Sequence, residues 1–314
     1  MALPVYATPL ERIWRYTYLV ICGLIFLFLM APILIVIPLS FNAEPYFTFT
    51  PKMLAFDPEG YSTRWYSLLL SFGMSAPDAT TGWWADMWEN AAWVRAAKNS
   101  VIIGFFSTLV ATGLGTLAAL GLSRPDMPWR RPIMAILISP MIVPIIITAT
   151  GLFFFYSNPC GILGVFGTAP SCGRLTGWVG VILAHATLGI PFVIITVTAT
   201  LIGFDRSLSR ASASLGASPT QSFFRITLPL ILPGVVSGAL FAFVTSFDEV
   251  VVVLFLADSN QQTIPRQMWN GIREAISPAI LSAATILVVI SVLLLTTVEL
   301  LRRRSERLRG MTPG

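Results

Sequence analysis

From Tyr16 to Phe41 the chain carries no charged residue and is almost wholly apolar. At about 1.5 Å of helical rise per residue, such a run crosses a ~30 Å hydrocarbon core with some tilt. Lipid offers no partner to backbone N–H and C=O groups, so a span of this kind must satisfy them internally, as a helix. The run is too long for the apolar region of a signal peptide and no small-residue cleavage site follows, so it reads as a retained first span. Further runs lie at about 100–122, 132–156, 177–203, 231–257 and 279–300. The chain is therefore expected to be all-α, a polytopic membrane protein with six transmembrane helices. Its composition agrees, with 55% hydrophobic and 11% charged residues over 314 positions.

Charge is distributed by side. Six spans put both termini on one face, together with the loops 123–131 and 205–230; that face holds thirteen of the 20 Lys and Arg residues. The positive-inside rule makes it the cytoplasmic one. The expected organisation is a cytoplasmic tail (1–15), a first span (16–41), an outer loop (42–98), a five-helix core (99–301) with a cytoplasmic loop at 205–230, and a basic tail (302–314). The outer loop ends in a Trp-rich stretch, Trp83 to Lys98, that reads as an interfacial helix anchored by an aromatic belt. Ser107, Ala111, Gly115 and Ala119 recur every four residues on the second span, and Gly234, Gly238, Ala242 and Ser246 on the fifth, where small side chains let helices approach closely.

Several chemistries are excluded or unsupported. A single histidine, His185, rules out a His-Glu-x-x-His zinc site, and no Gly-x-Ser-x-Gly elbow occurs. No metal site and no catalytic residues are expected. No basic stripe interleaved with aromatics suggests nucleic acid. The only lysines, Lys52 and Lys98, follow no glycine-rich phosphate loop, so the chain should bind no cofactor of its own. Cys160 and Cys172 share one outer loop and are a candidate disulfide pair; Cys22 lies within the first span.

Acids at membrane depth are the chemistry that remains. Each costs about 2.5–3.5 kcal/mol on insertion scales and normally faces a bundle interior or water. Asp248 and Glu249 lie in the fifth expected span, preceded by Phe247, and His185 lies at a similar depth in the fourth. Glu249 continues the small-residue stripe of the fifth span at i+3, and Asp248 points about 100° away. One acid then serves packing and the other a solute pathway. His185 is either a packing histidine or a group that tunes the pathway.

The polar loop 205–230 narrows the reading. Gly216 can end a helix in the left-handed conformation. Ser218, Pro219 and Gln221 then read as N-cap, first position and capping-box partner of a second helix, which Pro229 and Pro233 are expected to stop. The spacing Arg210-Ala211-Ser212, Gly216, Ile226, Leu228-Pro229 resembles the EAA loop of binding-protein-dependent ABC importer permeases, with Arg210 where that family has Glu. The likeness extends over roughly 60–305 and is narrowest with spermidine/putrescine-type permeases, through HATLGIPFV (185–193), GFDRSL (203–208), SFDEVVV (246–252) and IPRQMW (264–269). It implies a MetI-like type I importer fold and a bacterial inner-membrane location. It further implies a second permease subunit, often non-identical, two ATP-binding cassette subunits that use ATP and Mg, and a periplasmic solute-binding protein. The loop would pass ATPase motion to the spans, moving a polyamine-like cation by alternating access. Other cargoes (opine, 4-aminobutyrate, betaine-like amine, ferric iron) stay open. So does an ion-gradient-driven secondary transporter, which would carry discontinuous helices at matched positions; no such pair is apparent in the sequence.

Overall fold

The computed structural model describes residues 8–124, 126–157, 177–274 and 277–308. Cys160 and Cys172 lie outside them. The described residues form helices and no strand, with one isolated bridge between Asn42 and Tyr61. The chain divides into two compact units, residues 1–87 with 271–314, and residues 88–270.

In the first unit, α1 (Pro9–Leu39) opens on a complete capping box, in which Thr8 and Glu11 bond each other's backbone N–H. Short helices α2 (Pro51–Leu54) and α3 (Arg64–Ser71) follow. Asn42 organises the turn between them and α1: its Nδ2 donates to Tyr46 O and Thr48 O, and its own carbonyl accepts from Trp65 Nε1 at 2.7 Å. α4 (Trp83–Asn90) presents Trp84 and Trp88 outward on one face and buries Met87. It stops at Ala91, so the interfacial helix is shorter than expected and the next helix begins earlier. The last helix, α14 (Ala279–Leu308), packs on α1 and α3, and Ser282 Oγ donates to Ser40 O.

The second unit holds a three-helix core of α5 (Ala92–Leu122), α8 (Trp178–Ile202) and α11 (Leu228–Phe247). Both small-residue stripes sit at its contacts. A Cβ on Gly238 would lie 2.5 Å from Thr196 Oγ1, one on Gly234 would lie 2.5 Å from Thr200 Oγ1, and one on Gly189 would meet Ala242 and Ala111. Lipid tails are as apolar as leucine, so close packing of this kind, rather than a hydrophobic drive, holds membrane helices together.

Two expected spans differ in shape. The third is α6 (Arg130–Ile142) and α7 (Ile145–Ser157), bent by 104° at Val143-Pro144. Pro144 forces Val143 into extended backbone, φ −69° and ψ 137°, and so breaks the helix. The fifth is not stopped by Pro229 and Pro233. A four-residue helix α10 (Pro219–Ser222) runs through a π turn (Phe223–Thr227) straight into α11. Leu228 N–H reaches back to Phe223 O in that turn, and the wider turn gives the Pro229 ring the room an α-helix would deny it. The same span is then interrupted at residues 248–250 before α12 (Val251–Leu256). Two of the expected spans are therefore discontinuous, at residues 143–144 and 248–250. Among the described residues four helices are long and apolar enough to cross a membrane, or five if α6 and α7 make one span.

Candidate functional site

Two regions carry the residues singled out in the sequence. The first is the polar loop. Asp205 caps α9 (Arg206–Ser214), accepting from Ser207 N–H at 2.8 Å and Ser207 Oγ at 2.7 Å. Those bonds hold the Asp205 carboxyl below its usual range. At the other end Gly216 has φ +81°, Gly216 N–H bonds Ala213 O and Ala217 N–H bonds Ser212 O. This is a complete Schellman stop, and it needs a residue free to be left-handed. Ser218 and Gln221 form the expected capping box, with Pro219 at the first turn of α10. Arg210, Ala211, Ser218, Pro219 and Pro229 are exposed, Ile226 and Leu228 half-buried, and Ser212 turns inward. Leu215 is 89% exposed at the stop, and Phe224 is exposed too. The loop thus offers a rigid helix and hinge with apolar groups facing out.

The second region is the interruption in the fifth span. Asp248 caps α11, its N–H bonded to Val244 O, and its side chain is exposed. Glu249 is buried, and Oε1 accepts from Val252 N–H at 3.0 Å. It therefore caps the first turn of α12 rather than extending the small-residue stripe, which ends with α11 at Ser246. The reason is local: the carboxylate satisfies amides that would otherwise be orphaned at a new helix start. Phe247 stacks on Phe243, with centroids 5.7 Å apart. His185 meets the hydroxyl that ends the small-residue stripe of α11. It is buried on α8, with Nδ1 2.8 Å from Ser246 Oγ, which in turn lies 2.9 Å from Ser107 Oγ of α5. Its Nε2 has no partner among the described residues.

Five further side chains contribute that the sequence does not single out for this role. Ser107 and Ser246 read in the sequence as packing residues, yet they join a polar network; hydroxyls at facing stripe positions on two helices are the available signal. Arg266, on α13 (Ile264–Glu274), donates from Nη1 to Val253 O at 2.8 Å. Asn99 of α5 donates to Asn260 O and Gln262 O, and Ile264 N–H to Ser100 Oγ, which ties the segment before α13 to the head of α5. No group of three His, Cys, Asp or Glu gathers to hold a metal among the described residues.

Chemically, the interruption puts a carboxylate at the C-terminus of α11, next in sequence to the stacked rings of Phe243 and Phe247. All three attract cations.

Comparison with known proteins gives a consistent result. Residues 111–308 match the family model described as binding-protein-dependent transport system inner membrane component. The chain is 31% identical to the putrescine transport system permease protein PotI of Escherichia coli, covering 91% of this chain and 88% of that protein. It is 28% identical to the spermidine/putrescine transport system permease protein PotC of Haemophilus influenzae, over 90% of this chain and 95% of that protein. A chain in the crystal structure of a bacterial ABC transporter involved in the import of the acidic polysaccharide alginate shares the fold, with TM-score 0.63 at 16% identity over 94% of this chain and 98% of that one.

Proposed function

The chain belongs to the binding-protein-dependent transport system inner membrane component family, and we propose that it is the permease subunit of an ABC importer whose cargo is a small polyamine-like cation. The observation that carries the cargo is the exposed Asp248 at the interrupted fifth span, in a chain whose relatives include permeases named for putrescine and spermidine. A polyamine keeps its charge only where water or acceptors replace its hydration. Asp248 supplies a full charge, the end of α11 a partial one, and Phe243 and Phe247 a π face. None of these encloses the ligand, so a cation is passed on rather than held.

In this reading α9 and the Gly216 hinge sit on an ATPase subunit, which binds ATP and Mg. Closure of the ATPase pair pushes α10 and the continuous π-turn helix α11, and so moves the interruption carrying Asp248. The remaining partners are a second permease subunit, non-identical in this proposal, and a periplasmic solute-binding protein. The location is the bacterial inner membrane, with both termini and the loop 205–230 cytoplasmic.

The test is uptake of putrescine or spermidine by the complete complex in vesicles, measured beside ATP turnover. Asp248→Asn should lower uptake roughly tenfold, equivalent to ~1.4 kcal/mol, while receptor-stimulated ATP hydrolysis stays within about twofold. Normal uptake by that variant would remove the acid from the pathway, and the cargo with it.

A further inference from the structure

The interruption at residues 248–250 is tied down on both sides, and by different chemistry. Below it, the last turn of α11 is fixed by Ser246, whose hydroxyl meets His185 Nδ1 of α8 at 2.8 Å and Ser107 Oγ of α5 at 2.9 Å. All three side chains are buried, at 4%, 1% and 1% exposure. Above it, α12 is bracketed by charge. Glu249 accepts from Val252 N–H at its N-terminus, and the half-buried Arg266 guanidinium donates to Val253 O toward its C-terminus. An anion at the start of a helix and a cation toward its end both oppose the peptide dipoles favourably. Val252 and Val253 are fully buried, so α12 cannot turn without unpacking. Arg266 itself is held to α5, because Asn99 and Ser100 bond the backbone at Asn260, Gln262 and Ile264 just before it.

Phe247, Asp248 and Val250 lie between these anchors, and their bonds run only to the two flanking helices: Asp248 N–H to Val244 O, Leu254 N–H to Val250 O, and the Phe247 ring on Phe243. A short segment clamped at both ends has one backbone path open to it. The geometry points to a set of positioning residues for transport: Ser107, His185 and Ser246 on one side, Glu249 and Arg266 on the other. Together they fix where the Asp248 carboxylate stands. They touch no cargo. They act through Asp248, and this role rests on the proposed reading of that residue as the cation acceptor.

The experiment uses the reconstituted complex with its receptor, and the readout is putrescine taken up per ATP hydrolysed. Arg266→Gln removes the bond to Val253 O, and Ser246→Ala removes both bonds of the lower anchor. Each should lower the ratio at least threefold, with ATP turnover near wild type. Arg266→Lys, which keeps a donor and the charge, should restore most of it. In an Asp248→Asn background neither change should lower the ratio further. Losses that add to that of Asp248→Asn, or unchanged ratios in both single variants, would overturn the positioning role. A second readout separates this failure from failure of the cargo reading. With Asp248→Cys as a probe, a charged thiol reagent should label more slowly with the anchors intact than with Arg266→Gln or Ser246→Ala. Equal labelling rates overturn the anchors whatever Asp248 does. If Asp248→Asn transports normally while the labelling rates differ, the anchors stand and the cargo reading falls.

Discussion

At the scale of single residues, the core of the second unit is sensitive to one carbon atom at some glycines and indifferent at others. Gly238 and Gly234 face the backbone and hydroxyls of α8, and an added Cβ would come within 2.5 Å of Thr196 and Thr200 Oγ1; at Gly238 it would also come within 2.8 Å of Val193 Cα. The hydroxyls can rotate away, but the Cα cannot. Gly238→Ala should therefore destabilise the purified subunit by roughly 1–3 kcal/mol, the usual cost of overpacking. Gly113, on α5, has nothing within 4 Å. Gly113→Ala should be neutral or stabilise by up to ~1 kcal/mol, because alanine is the better helix former. Unfolding in mixed detergent micelles, compared for the two variants, measures the contrast. Equal effects would mean that the α8–α11 contact is not what limits stability. A loss at Gly113 seen only in the whole complex would place that face of α5 against another subunit.

At the scale of elements, the caps were legible and the breaks were not. Ser218-Pro219-x-Gln221 and Gly216 are local signals, and a helix end is decided by the few residues around it, so the sequence suffices. The small-residue stripes were legible for a similar reason: spacing alone puts Gly234, Gly238, Ala242 and Ser246 on one face. The interruption at 248–250 was hidden because Val250 to Leu256 is as apolar as any span, and hydropathy averages over the turn where Glu249 changes from packing residue to cap. The bend at Pro144 was visible in principle, since proline restrains the residue before it. The π turn that carries the chain past Pro229 was not, because its hydrogen bonds shift by one residue without changing the pattern of side chains. These elements set the prediction for coupling. Gly216 has φ +81°, which proline cannot adopt, and its N–H is bonded to Ala213 O. Gly216→Pro should break the Schellman stop, misplace α9 relative to α10, and lower uptake at least about tenfold while ATP hydrolysis persists. Wild-type uptake would mean that the hinge does not transmit force. Arg210→Glu, at an exposed position on α9, should be tolerated, since it brings in the residue usual in related loops. A severe loss would show that Arg210 has acquired a partner of its own.

At the scale of the whole molecule, the side on which the loop 205–230 lies depends on whether α6 and α7 cross the membrane. Their 104° bend is compatible with a broken span or with a re-entrant pair, and the two alternatives differ by one crossing. If the pair crosses, four crossings separate the N-terminal tail from α9 and both lie on the same side. If it re-enters, three crossings separate them and they lie on opposite sides. Charge gives a physical preference between these. Arg12 and Arg15 in the first two turns of α1, Arg124, Arg130 and Arg131 before and at the start of α6, and Arg206, Arg210 and Arg225 around α9 all fall on one side only when the pair crosses. Positive residues close to span ends are retained in the cytoplasm, so the crossing arrangement is favoured. A reporter active only outside the cytoplasm should work when fused after Asp78 and fail after Asp126 and after Ser214. Activity after Ser214 with none after Asp126 would make α6 and α7 a re-entrant pair. It would also carry α9 and the Gly216 hinge away from any cytoplasmic ATPase, and the coupling role of that loop would fall with it.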